Sequence, residues 1–502
     1  MNKNVTINIF ANFLGKIITM LSTYLFLPIY LKYLGGELYG VVSFYATLQS
    51  AMLILGMGLT STLRKEFAVE GDSERKYKLL RAVEYIYFLV MFIIIGICFG
   101  FAGSVIIKYI NLGNLNAGEI KFAIGLMGIS IAFHLLSNLY SGCLLGVGKQ
   151  VRANIWQTLW AIGRAGSAVL VIIYIDVNII LFFSAQIIVD IIYVIILRLD
   201  IYFYLKKNSF RKYRFKLGDF KIIQSIIPYT SGLLGISIIS MLNTQLDKVL
   251  VLEKFDFATL GIYNTASTLA QIPNSIVTIL MVAIYNELIS SYASGDRERY
   301  ARVYIEYYQK VYSFLISVVV FMGAFSVQIL QVWTKNEQMA LSAAAISGIL
   351  LVGNMFLGMQ QVPYYFLLAA GRTRYNNIMG VISCLINIVV TPIMVLKGGL
   401  FGAGMMYMLL RAAEFFCLTI IVQKKYIQEK YLNWMIINIV IPALLTVADC
   451  YIVYKLIYFC NFPIIIQVAV AIAMGAGAFG IHLWILQKTK YETKFMRRTV
   501  EI

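Results

Sequence analysis

Seven ionisable residues within the long apolar segments of this sequence are candidates for chemistry. An ionisable side chain at the centre of a bilayer costs roughly 2.5–3.5 kcal/mol on insertion scales, so such residues usually face a cavity or a partner. Cations in this setting can bind an anionic group such as a phosphate, and acids can carry a proton or a sodium ion. The seven are Lys16, His134, Arg164, Asp190, Arg411, Glu414 and Asp449.

Three of the cations are predicted to bind an anionic substrate. We expect Arg164, Arg411 and Lys16 to present positive charge to a cavity that holds a phosphate headgroup by charge-assisted hydrogen bonds. A second interpretation stays open for Lys16 and Arg164, because each lies roughly 12–15 Å from a predicted helix end and can extend to the interface. Arg411 lies three residues before Glu414, so these two can instead pair on one helix face and neutralise each other.

Three residues are candidates for coupling transport to an ion. Asp190, Glu414 and His134 could form a relay for protons or sodium ions. The structural alternative for His134 is a hydrogen-bonded histidine of the protein core. Apart from H+ or Na+ as a coupling ion, we expect no cofactor and no metal site.

Apolar residues dominate the chain that must position these groups. The 502 residues are 60% hydrophobic and 13% charged, with a mean hydropathy of +0.79, whereas soluble domains are about a quarter charged. The apolar runs are continuous rather than alternating, which favours membrane-spanning helices over an outer-membrane barrel. The predicted fold is all-α, with about fourteen spans at residues 8–33, 38–62, 82–108, 120–146, 154–176, 178–204, 221–247, 256–286, 303–331, 339–368, 376–396, 399–423, 433–456 and 463–487.

The net charge of +18 is explained by the topology of the spans. With the first residues in the cytoplasm, the predicted cytoplasmic loops and tails carry 31 Lys and Arg residues and the opposite loops carry eight. This asymmetry follows the positive-inside rule. It predicts that both termini are cytoplasmic, and it removes the reason to expect a nucleic acid as partner.

A weak internal repeat indicates two related halves. Residues 144–150 resemble residues 367–373 at an offset of 223, and residues 40–48 resemble residues 261–269 at an offset of 221. Because six spans separate the copies, the halves would share one orientation and form two lobes around a central cavity. The predicted organisation is an N-lobe at 1–204 (helices 1–6), a basic cytoplasmic inter-lobe loop at 205–220, a C-lobe at 221–424 (helices 7–12), appended helices 13–14 at 425–487 and a basic cytoplasmic tail at 488–502.

No catalytic motif accompanies these features. The sequence has no phosphate-binding Walker loop, no H-E-x-x-H pair and no nucleophile elbow. We therefore expect a transporter rather than an enzyme, with an ion gradient in place of ATP as the source of energy.

Several short motifs follow one another along the chain, at residues 8–12, 28–40, 247–250, 260–263 and 368–373. Taken in order, they resemble the polysaccharide transporter family. That family lies within the multidrug/oligosaccharidyl-lipid/polysaccharide exporter superfamily and contains bacterial flippases for O-antigen and capsule repeat units. The resemblance covers nearly the whole chain, including the span count and the two-lobe duplication.

The resemblance implies a function and partners. An undecaprenyl-diphosphate-linked oligosaccharide would move from the inner to the outer leaflet of the bacterial cytoplasmic membrane by alternating access. A glycan polymerase and a chain-length regulator are the protein partners that this implies. Three alternatives stay open: a flippase for a lipid II-type peptidoglycan precursor, a multidrug or cation antiporter, and a scaffold for a polymerase.

Overall fold

The computed structural model describes residues 3–69, 73–207, 216–427, 436–460 and 462–488. These ranges form fourteen α-helices. Their one β-type pairing is an isolated bridge between Asn111 and Asp256. Most of the predicted inter-lobe loop, at 208–215, and the predicted tail beyond residue 488 lie outside the described residues. The helices are α1 (Lys3–Ala68), α2 (Ser73–Ile97), α3 (Gly103–Tyr109), α4 (Ala117–Gly146), α5 (Gln150–Tyr174), α6 (Ile179–Lys207), α7 (Lys221–Lys254), α8 (Phe257–Ala293), α9 (Arg297–Ala324), α10 (Ser326–Thr334), α11 (Glu337–Ala369), α12 (Thr373–Val422), α13 (Ile441–Cys460) and α14 (Ile464–Lys488).

The helices account for the predicted membrane spans. Nine of the described helical stretches are long and apolar enough to cross a membrane, and eleven are if each of two bent helix pairs counts as one span. Counting the two arms of α1 and of α12 separately adds two, and α13 adds one. The prediction of an all-α membrane protein with about fourteen spans is confirmed. A helix suits this setting because it satisfies its own backbone hydrogen bonds where no water is available.

Two glycines turn the chain where the sequence predicts loops. The first two predicted spans both lie in α1, and the eleventh and twelfth both lie in α12. Each pair is joined through one non-helical residue, Gly35 (φ 75°) or Gly399 (φ 58°). A side chain with a Cβ disfavours positive φ, whereas glycine adopts it readily. The predicted loop at 34–37 is therefore a single-residue turn, and the break predicted at 397–398 lies one residue later, at Gly399.

The first of two compact units, Met1–Ile262, contains α4 at its centre. The apolar span of α4 is 72% buried, compared with 6% for that of α2 and α3, and α4 contacts α1, α2, α5 and α6. A Cβ on Gly142 would lie 2.8 Å from Thr60 Cγ2, and one on Gly146 would lie 2.7 Å from the Arg64 carbonyl oxygen. These glycines let α4 approach α1 closely. α7 also packs on α1, and the lobe boundaries drawn from the repeat stay a prediction.

The second unit, Tyr263–Ile502, has an aromatic-rich core formed by α8, α9, α11 and α12. The appended helices α13 and α14 pack on α9 through apolar residues that include Phe321 and Cys450. A buried polar link accompanies this packing. His482 Nε2 lies 3.3 Å from Thr446 Oγ1, and His482 Nδ1 lies 3.5 Å from Ser317 Oγ. Both kinds of contact hold the last two helices on the second unit.

The turn after α4 is a helix ending that requires glycine. The Lys149 N–H donates to the Leu144 carbonyl over 2.9 Å, and the Gly148 N–H donates to the Leu145 carbonyl over 3.2 Å. Gly148 has a φ of 78°. These paired bonds form a Schellman motif, which satisfies carbonyls that the end of the helix leaves free.

The turn after α11 repeats this geometry in the second unit. The Arg372 N–H donates to the Leu367 carbonyl over 2.8 Å, and the Gly371 N–H donates to the Leu368 carbonyl over 3.1 Å. Gly371 has a φ of 70°. All four residues follow their counterparts at the offset of 223 found in the sequence, so the repeat extends to backbone hydrogen bonding.

Candidate functional site

Arg164 on α5 and Asp190 on α6 form an ion pair within the first unit. Arg164 Nε lies 3.4 Å from Asp190 Oδ1. The Asp190 side chain is 2% exposed and that of Arg164 is 15% exposed. The structure thus joins a predicted substrate-binding cation to a predicted ion-coupling acid.

Further side chains from α1, α4 and α5 close a ring of polar contacts around this pair. Arg164 Nη2 donates to the Tyr45 hydroxyl over 2.6 Å, and that hydroxyl lies 2.8 Å from Ser130 Oγ. Ser130 in turn donates to Asp190 Oδ2. Trp160 Nε1 donates to Asp190 Oδ1 over 2.7 Å. The carboxylate therefore accepts two hydrogen bonds besides its contact with the guanidinium, which suits its ionised form in a buried place.

Aromatic rings line the same site. The Arg164 guanidinium lies 5.0 Å from the centre of the Tyr45 ring and 5.6 Å from that of Trp160. These are cation–π distances, which stabilise a partly desolvated cation. The Trp160 ring also stacks on Tyr193, at 5.4 Å and an interplanar angle of 23°. Arg164 is therefore held in place by rings as well as by charge.

His134, the third candidate for ion coupling, lies beside this network on α4. Its ring centre is 5.0 Å from that of Trp160. The side chain is 9% exposed, and neither ring nitrogen has a hydrogen-bond partner within the described part of the chain. The structure brings His134 to the Arg164–Asp190 pair through Trp160, without a direct hydrogen bond to either.

Arg411 and Glu414 form a second buried ion pair, in the second unit. Arg411 Nη1 donates to Glu414 Oε2 over 2.8 Å, and the two side chains are 7% and 5% exposed. The Arg411 guanidinium lies 5.3 Å from the centre of the Tyr407 ring, whose hydroxyl donates to Asn354 over 3.3 Å. The pairing that the three-residue spacing allows as an alternative is present in the structure. Unlike the first pair, this one lies within a single helix.

Lys16 lies in the first arm of α1, and its side chain is outside the described part of the structure. Its predicted role as a third substrate-binding cation stays a prediction. Among the described residues, no group of three or more His, Cys, Asp or Glu side chains is arranged to hold a metal ion.

A third charged cluster, centred on Glu84 of α2, was missed by the sequence reasoning. Glu84 is 1% exposed, and it accepts hydrogen bonds from Arg81 over 2.9 Å and from Arg198 over 2.7 Å. The hydroxyls of Tyr140 and Tyr202 also donate to it. The available signal was the spacing of Arg81 and Glu84, three residues apart like Arg411 and Glu414. Both residues lie near the predicted start of the span, where the sequence suggests contact with water.

Asp200 of α6 was missed for a similar reason. The side chain is 6% exposed, although it lies near the end of a predicted span. Arg152 Nε lies 2.9 Å from Asp200 Oδ2, and Trp156 Nε1 donates to the same oxygen over 3.2 Å. Together with the Glu84 cluster, this contact ties α2, α4, α5 and α6 to one another.

The fold is similar to those of solved multi-span membrane transporters. It is similar to the lipid II flippase MurJ in an inward closed conformation, with a TM-score of 0.74 and 18% identity over 96% of this chain and 99% of that chain. It is also similar to an inward-facing MATE multidrug resistance transporter of the MOP superfamily, with a TM-score of 0.66 and 13% identity over 82% and 98% of the two chains. A MOP-superfamily transporter from Pyrococcus furiosus, described as having a binding pocket of reverse polarity, gives a TM-score of 0.55 and 13% identity over 84% and 96%.

The family follows from the sequence match. The chain belongs to the polysaccharide biosynthesis protein family, which matches residues 5–285. The predicted resemblance to polysaccharide transporters of this superfamily is confirmed. Among curated proteins, no sequence matches the chain.

Proposed function

We propose that this protein is a flippase for an undecaprenyl-diphosphate-linked oligosaccharide. It would move single repeat units of a capsule, O-antigen or exopolysaccharide from the inner to the outer leaflet by alternating access. The observation that carries the proposal is that a chain of the polysaccharide biosynthesis family has a fold similar to the flippase MurJ over nearly its whole length.

The arginines inside the spans are evidence that the substrate carries an anionic group. A guanidinium offers several donors in a fixed plane and keeps its charge when it is partly buried, which suits a diphosphate. We propose that Arg164, Arg411 and Lys16 act on the diphosphate, and that Arg164 binds it most directly. The side chain of Arg164 is more exposed than that of Arg411, at 15% against 7%.

The proposed setting is the bacterial cytoplasmic membrane with both termini in the cytoplasm. The division of 31 basic residues against eight supports this orientation. Partners of the proposed function are the lipid-linked oligosaccharide, a glycan polymerase and a chain-length regulator. We propose coupling to H+ or Na+, with Asp190, Glu414 and His134 as the coupling residues.

A lipid II-type precursor is the second candidate substrate. The similarity to MurJ, a protein named as a lipid II flippase, favours it. The similarity to MATE transporters supports a third candidate, a multidrug or cation antiporter that would use Asp190 and Glu414. These three differ in what accumulates when the protein is removed.

The test is the sidedness of lipid-linked oligosaccharide in cells that lack this protein and retain the glycosyltransferases and the polymerase. We expect single repeat units to accumulate on the inner leaflet, and surface polymer to be lost and then restored by re-expression. Arrest of cell-wall synthesis itself would favour the lipid II-type substrate. Normal export with altered resistance to cationic drugs would overturn the flippase in favour of the antiporter.

A matched control separates charge removal from general disturbance. Lys310 and Glu306 form an ion pair whose side chains are 49% and 54% exposed. Re-expression of Lys310→Met/Glu306→Gln should restore surface polymer as well as the wild type does. Re-expression of Arg164→Met/Asp190→Asn should not restore it.

A further inference from the structure

We infer that Asp190 is an internal competitor of the substrate: it occupies the Arg164 guanidinium that the diphosphate takes, and it is protonated when the diphosphate displaces it. This inference rests on the proposed function and deepens it. It makes Asp190 a positioning residue that couples anion binding to a proton, rather than a separate ion site.

The first support is the difference in exposure within the pair. Asp190 is 2% exposed and reaches its partner from inside the unit, whereas Arg164 keeps 15% of its side chain exposed. The exposed part of the pair therefore belongs to the arginine and not to the carboxylate. Two anions on one guanidinium repel each other, so the second lowers the affinity of the first.

The second support is the direction of the hydrogen bonds. Ser130 and Trp160 both donate to Asp190, and Arg164 donates to Tyr45. With the Tyr45 hydroxyl donating to Ser130, every donor in the ring points toward the ionised carboxylate. This arrangement holds Asp190 in place when Arg164 turns to another anion.

The titratable and charged groups around Asp190 come from four helices. Arg164 faces it from α5, Tyr45 faces it from α1 through Ser130, and His134 lies behind Trp160 on α4. On α6 itself, Tyr193 stacks on Trp160. Tyr30 of α1 donates to the Ala165 carbonyl over 3.1 Å and so fixes the backbone next to Arg164. In this set the only cation in contact with Asp190 is Arg164.

The charges balance in the proposed exchange. In the resting state the pair is neutral. When one phosphate group of the diphosphate binds Arg164, the carboxylate takes up one proton from solvent, so that the guanidinium again pairs with a single negative charge. When the substrate leaves, Asp190 loses this proton and contacts Arg164 again.

The second ion pair of the molecule provides an internal contrast. Arg411 and Glu414 lie three residues apart on one helix, with a direct hydrogen bond of 2.8 Å. A local pair of this kind moves as a unit, so α12 can shift without separating it. Arg164 and Asp190 lie on different helices and make a longer contact of 3.4 Å, which a ligand or a helix movement can open.

The experiment measures binding of farnesyl diphosphate to the purified full-length protein as a function of pH, with farnesol as the uncharged control. Asp190→Asn should bind the diphosphate at least about tenfold more tightly than the wild type near neutral pH. The ratio of the two affinities should shrink as the pH falls, because protonation makes the wild-type residue resemble asparagine. Comparing the two proteins cancels the titration of the ligand itself.

Further variants keep the inference testable if Asp190→Asn folds poorly. Trp160→Phe removes one donor to the carboxylate and keeps the ring, so the pH at which affinity rises should shift upward. Glu306→Gln, at the exposed ion pair with Lys310, is the matched control and should leave the pH dependence of binding unchanged. Arg164→Gln should abolish the advantage of the diphosphate over farnesol.

Turnover distinguishes competition from a structural role. Asp190→Asn should bind the diphosphate more tightly but flip it more slowly. No carboxylate then remains to displace the diphosphate from Arg164 when the substrate leaves. Equal or weaker binding by Asp190→Asn would overturn the inference while leaving the flippase intact. Normal sidedness of lipid-linked oligosaccharide in the deletion strain would instead overturn the proposed function itself.

Discussion

The Nε atom of Arg164 and the Oδ1 atom of Asp190 lie 3.4 Å apart across the contact between α5 and α6. The carboxylate is nearly inaccessible, and so it depends on this cation together with the donors from Ser130 and Trp160. Removing either member leaves the other charge buried without its counter-ion. Stability and transport must therefore be measured separately in every variant of this pair.

A double variant separates these two effects. Arg164→Met alone should lower the unfolding free energy by about 3–5 kcal/mol, because it leaves a buried carboxylate unpaired. Arg164→Met/Asp190→Asn should recover most of that loss, since no charge remains. Thermal unfolding in detergent measures the first effect, and surface polymer in complemented cells measures the second. Restored export by the stable double variant would contradict a substrate-binding role for Arg164.

The dependence of export on an ion gradient tests the acids. If a proton drives transport, Asp190→Asn should abolish the response of export to an imposed pH gradient, since the titrating carboxylate is gone. The measurement is flipping of a lipid-linked oligosaccharide in proteoliposomes with and without the gradient. Glu414→Gln is measured beside it, because Glu414 is the other candidate. An unchanged response in both variants would assign the two acids to structure.

Disruption of the Glu84 cluster should cause a large loss of stability without a direct effect on substrate binding. Glu84→Ala removes a carboxylate that accepts from Arg81, Arg198 and two tyrosines, so two cations lose their shared counter-ion. We expect a loss of roughly 3–5 kcal/mol.

Glu74→Ala is the control for this variant. Glu74 pairs with Lys78 at the protein surface, where its side chain is 44% exposed. Such exposed pairs contribute roughly 0–1 kcal/mol. Equal melting temperatures of the Glu84 and Glu74 variants would refute the role assigned to the cluster.

Replacing a turn glycine should lower the stability of the protein through backbone geometry alone. Gly148→Ala and Gly371→Ala should each destabilise by about 1–2 kcal/mol, because their φ values of 78° and 70° disfavour a Cβ. No atom would obstruct that Cβ at either position.

Gly166→Ala makes the matched comparison. Gly166 lies inside α5 with open space around it, and alanine there should be neutral or stabilising by up to about 1 kcal/mol. Thermal unfolding of the three variants measures the change in stability at each position. A loss at Gly166 equal to that at the turns would show that the cost is not conformational.

The parts of the fold that could be predicted from the sequence are those set by local properties. Apolar run length predicts the helices, and the basic glycine turns predict the repeat. The contact between Arg411 and Glu414 could also be predicted, because side chains three residues apart lie on one face of a helix. Each of these depends on neighbours in sequence.

The remaining features depend on packing between distant segments. Nothing local indicates that Asp190 pairs with Arg164, or that Tyr45 and Ser130 complete the ring between them. Glu84 and Asp200 are buried although they lie near the ends of spans, where the sequence suggests contact with water. Depth along a helix is therefore a poor guide to burial in this molecule, and the partner helices decide it.

The turns at Gly148 and Gly371 also show what the two copies of the internal repeat share. At the offset that relates them, the counterpart of Arg164 is Asn387 and that of Asp190 is Ala413. The glycine turn is therefore present in both segments, whereas the Arg164–Asp190 ion pair is present in one. A search for this repeat in other chains is better anchored on the glycine turns than on the charged residues.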